Sequence, residues 1–312
     1  MTSHESAALS GAVRESWRRF LDTYEPLRPE LYRYCRHLTR NAWDAEDMTQ
    51  EALSRAFVSL ALLADAPQSP RAWLFRVASN AWINRVQRTR ERPAAGGGEL
   101  SVAVTELDPR ATREAAGTLL AQLSPQERAA VVLKDAMGLT LEETAEALST
   151  TSGAIKAALH RARGKLQAEE PEQVAPVAPA ALDAFCAAFN ARDLERLTAL
   201  LLETATLEYP GFRVERGREE LKAGSLGGTL FGCPDEVHDE PWPAPRAEIR
   251  SYRGEPILVW WSGAVVHAVV RVAVEGDHIA SLRNYYHSPE VMTEVCGELG
   301  LPCHTHGYRP LR

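Results

Sequence analysis

The sequence has no hydrophobic run near the roughly 20 residues that cross a bilayer, so no membrane span is expected. Its amino terminus, MTSHESAALSGAVRESW, lacks the basic-then-apolar layout of a secretory signal, and the expected location is the cytoplasm. Cysteine is scarce: Cys35, Cys186, Cys233, Cys296 and Cys303 are odd in number and widely scattered, which argues against a disulfide framework. Cys296 with Cys303-His304-Thr305-His306 brings metal-ligating residue types together, but structural zinc needs four tetrahedral ligands and the spacing matches no common finger pattern. Neither a metal nor a cofactor is expected. Excess positive charge is missing as well. The formal net charge is −7, so any attraction to nucleic acid must be local. Residues 1–170 are balanced at 22 basic and 22 acidic side chains, and 13 against 20 in residues 171–312 accounts for the whole deficit.

The local charge is plainest at 141–166, LEETAEALSTTSGAIKAALHRARGKL. Leu141, Ala145 and Leu148 give a first short helix its apolar stripe. After a polar turn, Ile155, Leu159, Ala162 and Leu166 repeat at one face of a second helix, with Thr151 placed to cap it. Lys156, His160, Arg161, Arg163 and Lys165 follow on that second helix with no acid among them. Two helices, a tight turn and a cationic second helix are the ingredients of a helix-turn-helix DNA reader. An αα-hairpin with a solvated basic face has the same pattern, so the rest of the chain must decide.

Upstream, AWDAEDMTQEALSRAFVSL at 42–60 places Met48, Ala52, Leu53, Ala56, Phe57 and Leu60 on one helical face. Asp44, Glu46, Asp47, Gln50 and Glu51 crowd its first turns. Acid there suits the helix dipole, yet so much carboxylate and amide on one surface reads as a docking face. ADAPQSP at 64–70 is a loop by its prolines, and RAWLFRVASNAWINRVQRTRER follows as a helix. Trp73, Asn80, Arg85 and Arg88 on that helix suit single-stranded nucleic acid, where rings stack on bases and Arg holds phosphates. A core filled by two Trp and a solvated Arg tail would look the same. PAAGGG at 93–98 opens a flexible linker running to about Arg110, and Ser124-Pro125-Gln126-Glu127 starts a further helix that Gly138 stops.

In the order DAEDMTQEALSRAF (44–57), WLFRVASNAWINRVQR (73–88), LSPQERAAVVLKDAMGLTLEETAEAL (123–148) and SGAIKAALHRARGKL (152–166), the first 170 residues resemble the extracytoplasmic-function (ECF) sigma factors of the sigma-70 family. The resemblance implies two all-α domains: 1–92, binding core polymerase and the minus-ten element, and 111–169, a helix-turn-helix binding the minus-thirty-five element, joined by the linker 93–110. It implies that Asp44, Glu46, Asp47, Gln50 and Glu51 dock on the clamp helices of the polymerase β′ subunit. Pro67, Gln68, Trp73, Asn80, Arg85 and Arg88 would hold the opened minus-ten strand. Lys156, Ala157 and His160 would face minus-thirty-five bases, while Thr151, Arg161 and Arg163 would hold phosphates. Ala157 can offer only an apolar contact, for instance to a thymine methyl.

A charged, Pro-rich linker at 170–179 leads to a third domain, 180–312. Helical patterns at 180–190, 193–202 and 217–226 precede strand patterns at 246–252, 257–261, 264–274 and 278–286, with an earlier strand at 204–209; the expected class is α+β. FNARDLERLTALLLETATLEYPG and EGDHIASLRNYYHSP resemble the SnoaL-like (polyketide cyclase-like) cone fold, which implies an attached regulatory module with a candidate ligand pocket. Glu208, Trp260, His267 and Tyr285 are its candidate lining, to receive a small molecule or a regulatory protein. The expected function is promoter recognition and transcription initiation with core RNA polymerase and promoter DNA as partners, without catalysis. The alternatives are a bifunctional protein whose last domain is a small-molecule enzyme, and a helix-turn-helix repressor.

Overall fold

The computed structural model describes residue 20 and residues 22–60, 67–91, 123–165, 180–232 and 244–306, and the chain divides into two compact units, Met1–Gln173 and Val174–Arg312. Among the described residues no helix is long and apolar enough to cross a membrane.

The first unit is helical: α1 (Arg28–Thr39), α2 (Ala42–Leu60), α3 (Pro70–Glu91), α4 (Pro125–Val131), α5 (Leu141–Ala147) and α6 (Ser152–Lys165). A 3-10 turn at Glu25–Leu27 precedes α1, where Pro26 and Pro29 lack amide donors. α1 ends on Arg40 in the left-handed region (φ 65°), and the Asn41 side chain then accepts the Trp43 amide at 2.8 Å to open α2. Leu31, Tyr34, Leu38, Trp43, Met48, Leu53, Leu74 and Phe75 are buried among α1–α3. Each such side chain contributes about 1.5–3 kcal/mol by leaving water. The Tyr34 hydroxyl shares a 2.7 Å hydrogen bond with Ser79, and Ser79 donates to the Phe75 carbonyl, so this polar pair inside the core is satisfied.

α4 starts on a capping box: Ser124 accepts the Glu127 amide, and Glu127 accepts the Ser124 amide at 3.0 Å. The helix then widens into a π-type turn at Val132–Ala136 and stops at Gly138, whose φ of +69° is unfavourable for any residue with a Cβ. Of the domain expected over 111–169, residues 111–122 and 166–169 lie outside the described residues. α4 and α5 pack against α3, and the turn Val132–Ala136 packs against α1. Arg128 reaches the Leu38 carbonyl at 2.8 Å and lies over the Trp82 ring at 5.5 Å.

The second unit is α+β, as expected of 180–312. α7 (Ala180–Asn190) and α8 (Leu194–Ala199) precede β1 (Leu201–Tyr209) and β2 (Arg213–Arg216). Then come α9 (Arg218–Leu221), which widens through Lys222–Leu226, and α10 (Gly227–Phe231). A meander follows: β3 (Pro245–Tyr252), β4 (Glu255–Ser262), β5 (Val265–Glu275) and β6 (His278–Asn284), closed by α11 (Pro289–Leu299). The six strands lie in the order β2-β1-β6-β5-β4-β3, antiparallel except for the parallel β1–β6 pair. Three register shifts, between Leu201 and Thr206, Trp260 and Trp261, and Ala273 and Val274, bend the sheet. One face carries Leu207, Leu258, Trp260, Ala268, Val270 and Leu282 against Phe185, Phe189, Leu197 and Leu226 of the helices. The other face receives α11, tied by Tyr252 to Glu294 at 3.1 Å.

Three details depart from the sequence pattern. The helix expected over 193–202 ends at Ala199, because Leu201 already pairs with Ile279 in the sheet. β2 is too short, at four residues, for alternation to reveal it. Its Glu215 is buried, accepting both the amide and the hydroxyl of Ser225 and pairing with Arg213. Gly224 makes that possible, since a Cβ there would collide with the Glu215 carboxylate. α11 carries little charge patterning, and only its buried stripe of Val291, Met292, Val295 and Cys296 shows its role.

Candidate nucleic-acid interface

α5 and α6 form the helix-turn-helix. α5 begins on a second capping box: Thr140 accepts the Glu143 amide at 3.1 Å, and Glu143 accepts the Thr140 amide at 2.7 Å. The Thr140 amide, with the Thr140 hydroxyl beside it, holds the Glu143 carboxyl below the ordinary carboxylate pKa. The turn passes through Ser149 at φ 49°, and Thr150 donates back to the Ala145 carbonyl at 2.9 Å. Thr151 then accepts the Ala154 amide at 3.2 Å, so its hydroxyl oxygen caps α6. Ile155, Ala158, Leu159 and Ala162 are buried, whereas Lys156, Ala157 and His160 are exposed one turn apart on the opposite face.

Arg161 is 59% exposed, and its Nε is 3.1 Å from an oxygen of the buried Glu127 carboxylate. Glu127 therefore serves two elements at once, capping α4 and fixing α6 against it. The Arg163 side chain lies outside the described residues.

In the first bundle, Pro67 is half-buried and Gln68 exposed at the entrance to α3, whose start Ser69 caps through the Ala72 amide at 3.3 Å. Asn80 and Arg88 are exposed on α3, and Arg85 pairs with Asp44 of α2 at 3.0 Å with both side chains about 40% exposed. That pair links the acidic helix to the basic one at the surface, where such contacts contribute about 0–1 kcal/mol. Loop residues 64–66 lie outside the described residues.

The chain's matches to known proteins fall on these same helices. A family model for Sigma-70 region 2 matches residues 23–92, and one for Sigma-70, region 4 matches residues 113–166. The ECF RNA polymerase sigma factor SigL of Mycobacterium tuberculosis is 32% identical over 161 residues, 50% of this chain and 91% of SigL. This chain belongs to the ECF RNA polymerase sigma factors. SigG of the same organism is 32% identical over 224 residues, and the match spans 60% of each chain. A crystal structure of the ECF sigma factor SigJ from Mycobacterium tuberculosis aligns over 86% of this chain and 97% of that one, at 23% identity and a TM-score of 0.34. A Catenulispora acidiphila protein described as having a ketosteroid isomerase-like fold aligns over 40% of this chain, at 18% identity and a TM-score of 0.27.

Two residues of this sigma factor do not stand where the sequence reading put them. Glu46 is not on an exposed docking face. It is fully buried, 2.5 Å from the equally enclosed Arg28, and it also accepts from Gln50 at 2.8 Å. The reason is the helical turn: Glu46 shares its side of α2 with the buried Trp43 and Thr49, a face no periodicity count would assign to a carboxylate. Asp44, Asp47, Gln50 and Glu51 are half-buried around it, Glu51 pairing with Arg55 at 2.5 Å. Trp73 is not available to stack on a base. It is 6% exposed, with its ring 5.6 Å from that of Tyr24.

The four candidate pocket residues of the sigma factor's last domain do not share one site. Trp260 points into the apolar face, its ring 5.0 Å from that of Phe189. Glu208 and His267 alternate with Leu207 and Ala268, which belong to that face, so they point to the other side of the sheet. Glu208 is paired there with Arg283 at 3.1 Å. Tyr285 is buried beyond the end of β6, where its amide donates to the Val269 carbonyl. His267 meets the rings of His304, His306 and Tyr286, a cluster that strand alternation alone could not announce because two of its members come from the tail. Among the described residues no group of three or more His, Cys, Asp or Glu is arranged to hold a metal.

Proposed function

We propose that this sigma factor is a promoter-specificity subunit that brings core RNA polymerase to promoters and opens the minus-ten element. The observation that carries the reading is the exposed Lys156–Ala157–His160 face on a doubly capped helix-turn-helix, set after a helix whose surface keeps Asp44, Asp47, Gln50 and Glu51. Lys156, Ala157 and His160 read minus-thirty-five bases, with Thr151, Arg161 and Arg163 on phosphates. Pro67, Gln68, Asn80, Arg85 and Arg88 hold the opened strand. Asp44, Asp47, Gln50 and Glu51 dock on the β′ clamp helices. Domain limits at 1–92, 111–169 and 180–312 follow, and the working location is the cytoplasm, where polymerase and chromosome meet.

Reading two elements about two helical turns apart, at 34–36 Å per turn, requires the Arg128 contacts with Leu38 and Trp82 to open. The 18 residues of the linker 93–110 can reach about 60 Å when extended. The domain 180–312 modulates this activity through a bound small molecule or a regulatory protein, without catalysing a reaction. A small-molecule enzyme loses support because Trp260 points to the opposite side of the sheet from Glu208 and His267.

Reconstituted transcription with core polymerase and a promoter library tests the reading. Start-site-specific initiation that depends on this chain is expected, and none with any core polymerase would overturn it. A truncation after residue 173 should change the initiation rate; identical rates would refute regulation by the last domain.

A further inference from the structure

After α11 the chain turns through Gly300 (φ 66°) and runs back as a strap, Leu301–His306, along β5. Leu301 donates to the Cys296 carbonyl at 2.9 Å. Val266 of β5 donates to the Pro302 carbonyl at 2.8 Å and accepts from the His304 amide at 2.9 Å, so that Cys303 sits opposite Val266 as a parallel bridge. This return places Cys303 against the helix it has just left. Its sulfur lies 3.9 Å from the Met292 carbonyl, one turn before Cys296. The Cα–Cβ bond of a helical residue tilts towards the helix N-terminus, so the Cys296 thiol leans towards the same carbonyl. The two thiols, both free, are in hydrogen-bonding contact.

Their surroundings differ in a way that orders a reaction. Cys296 is 1% exposed, and burial pushes its thiol pKa up to about 12, so it does not initiate exchange with a solute. Cys303 is half-buried and open to one. Cys35 is fully enclosed in the other unit, and Cys186 lies on α7, which packs on the opposite face of the sheet from α11.

We propose that Cys296 and Cys303 are a reversible dithiol–disulfide pair, oxidised by exchange with a low-molecular-weight disulfide. The Cys303 thiolate attacks one sulfur of the solute. The solute S–S bond breaks, one thiolate leaves with the bonding pair and takes a proton from water, and Cys303 carries the other half as a mixed disulfide. Cys296, already in contact, attacks the Cys303 sulfur and gives its proton to the second departing thiolate. Two protein thiols are oxidised by two electrons, and one solute disulfide is reduced to two thiols. The bond closes a ring from Cys296 to Cys303 and pins the strap. The strap carries His306, whose Nε2 is 3.3 Å from Nδ1 of His267 and whose ring stacks on Tyr286 at 3.9 Å, so oxidation locks this histidine cluster onto β5.

The test equilibrates the full chain in graded mixtures of glutathione and glutathione disulfide, quenches with acid, alkylates and weighs the tryptic peptides. The peptide holding both cysteines should lose two hydrogens and both alkylation sites together, and hydrogen exchange of the His304 amide should slow by roughly tenfold. Cys296→Ser should stop at a mixed disulfide on Cys303. Cys303→Ser should leave Cys296 alkylatable after denaturation, and Cys186→Ser should behave as the unaltered chain. Both thiols still alkylatable in excess glutathione disulfide would overturn the proposal. So would an unaltered chain that halts at the mixed disulfide, or one that pairs Cys303 with Cys233. Should a serine variant fail to unfold cooperatively, the masses of the unaltered chain decide.

Discussion

Glu46→Ala separates a carboxylate that holds the fold from one that meets polymerase. Arg28 and Glu46 are 2% and 0% exposed and 2.5 Å apart, and Gln50 adds a 2.8 Å hydrogen bond to the same oxygen. Removing the carboxylate leaves the Arg28 guanidinium enclosed without its counter-charge, which costs about 3–5 kcal/mol when one member of a buried pair is deleted. A domain of this size has about 5–15 kcal/mol in total, so the first three helices should lose a large fraction of their stability. With a urea slope of about 1–3 kcal/mol/M, the unfolding midpoint should fall by at least about 1 M. The paired replacement Arg28→Met with Glu46→Leu should recover most of the loss, because apolar side chains of similar volume are tolerated where an ion pair is buried. Asp44→Ala and Glu51→Ala, on partly exposed pairs, should stay within about 0.5 kcal/mol of the unaltered chain. The assay is urea unfolding followed by Trp fluorescence, beside a pull-down on core polymerase. A Glu46→Ala protein of unchanged midpoint that no longer binds polymerase would refute the structural role and return Glu46 to the docking face.

Lys156→Ala should change which promoter sequences are bound. Arg161→Ala should lower affinity on all of them and reduce the salt slope by about one unit; equal losses on every sequence for both would exclude base reading by Lys156. Thr140→Ala removes the hydroxyl of a complete capping box and should cost about 1 kcal/mol, read as a lower thermal midpoint, whereas an unchanged midpoint would mean that α5 is held by packing alone. His267 is held below the ordinary His pKa by burial and by His304. The unfolded chain therefore binds that proton more readily than the folded one, and stability should rise with pH between the folded value and about 6.5. Acidification from pH 7.5 to 5.5 should accordingly speed hydrogen exchange in the strap that faces His267, with His304, His306 and Tyr286 around it, and His267→Gln should flatten the dependence. Exchange that is equally pH-dependent after the intrinsic correction in both proteins would count against it.

Local patterns determined much of this protein. Ser124-Pro125-Gln126-Glu127 announces one helix start, Thr151 the cap of the reader, Gly138 a stop, and Ile155, Leu159 and Ala162 the buried side of the reader, leaving Lys156, Ala157 and His160 outside. These are contacts within a few residues of one another, so spacing alone carries them. The strand meander was legible for the same reason, through β-branched runs separated by Arg253-Gly254 and Glu275-Gly276-Asp277. Tertiary packing decided the rest. Glu46 and Trp73 carry chemistry that looks surface-bound in the sequence, yet Arg28 and Tyr24, 18 and 49 positions upstream, enclose them. Glu127 becomes a support for the DNA-reading helix only because Arg161 arrives from 34 positions downstream. The sheet order, which sets β1 beside β6, puts Glu208 against Arg283 and on the far side from Trp260, dividing a pocket that composition alone had joined. The tail behaves likewise: Cys303 meets Cys296, and His306 meets His267, only because the strap finds a vacant length of β5 where β6 has ended.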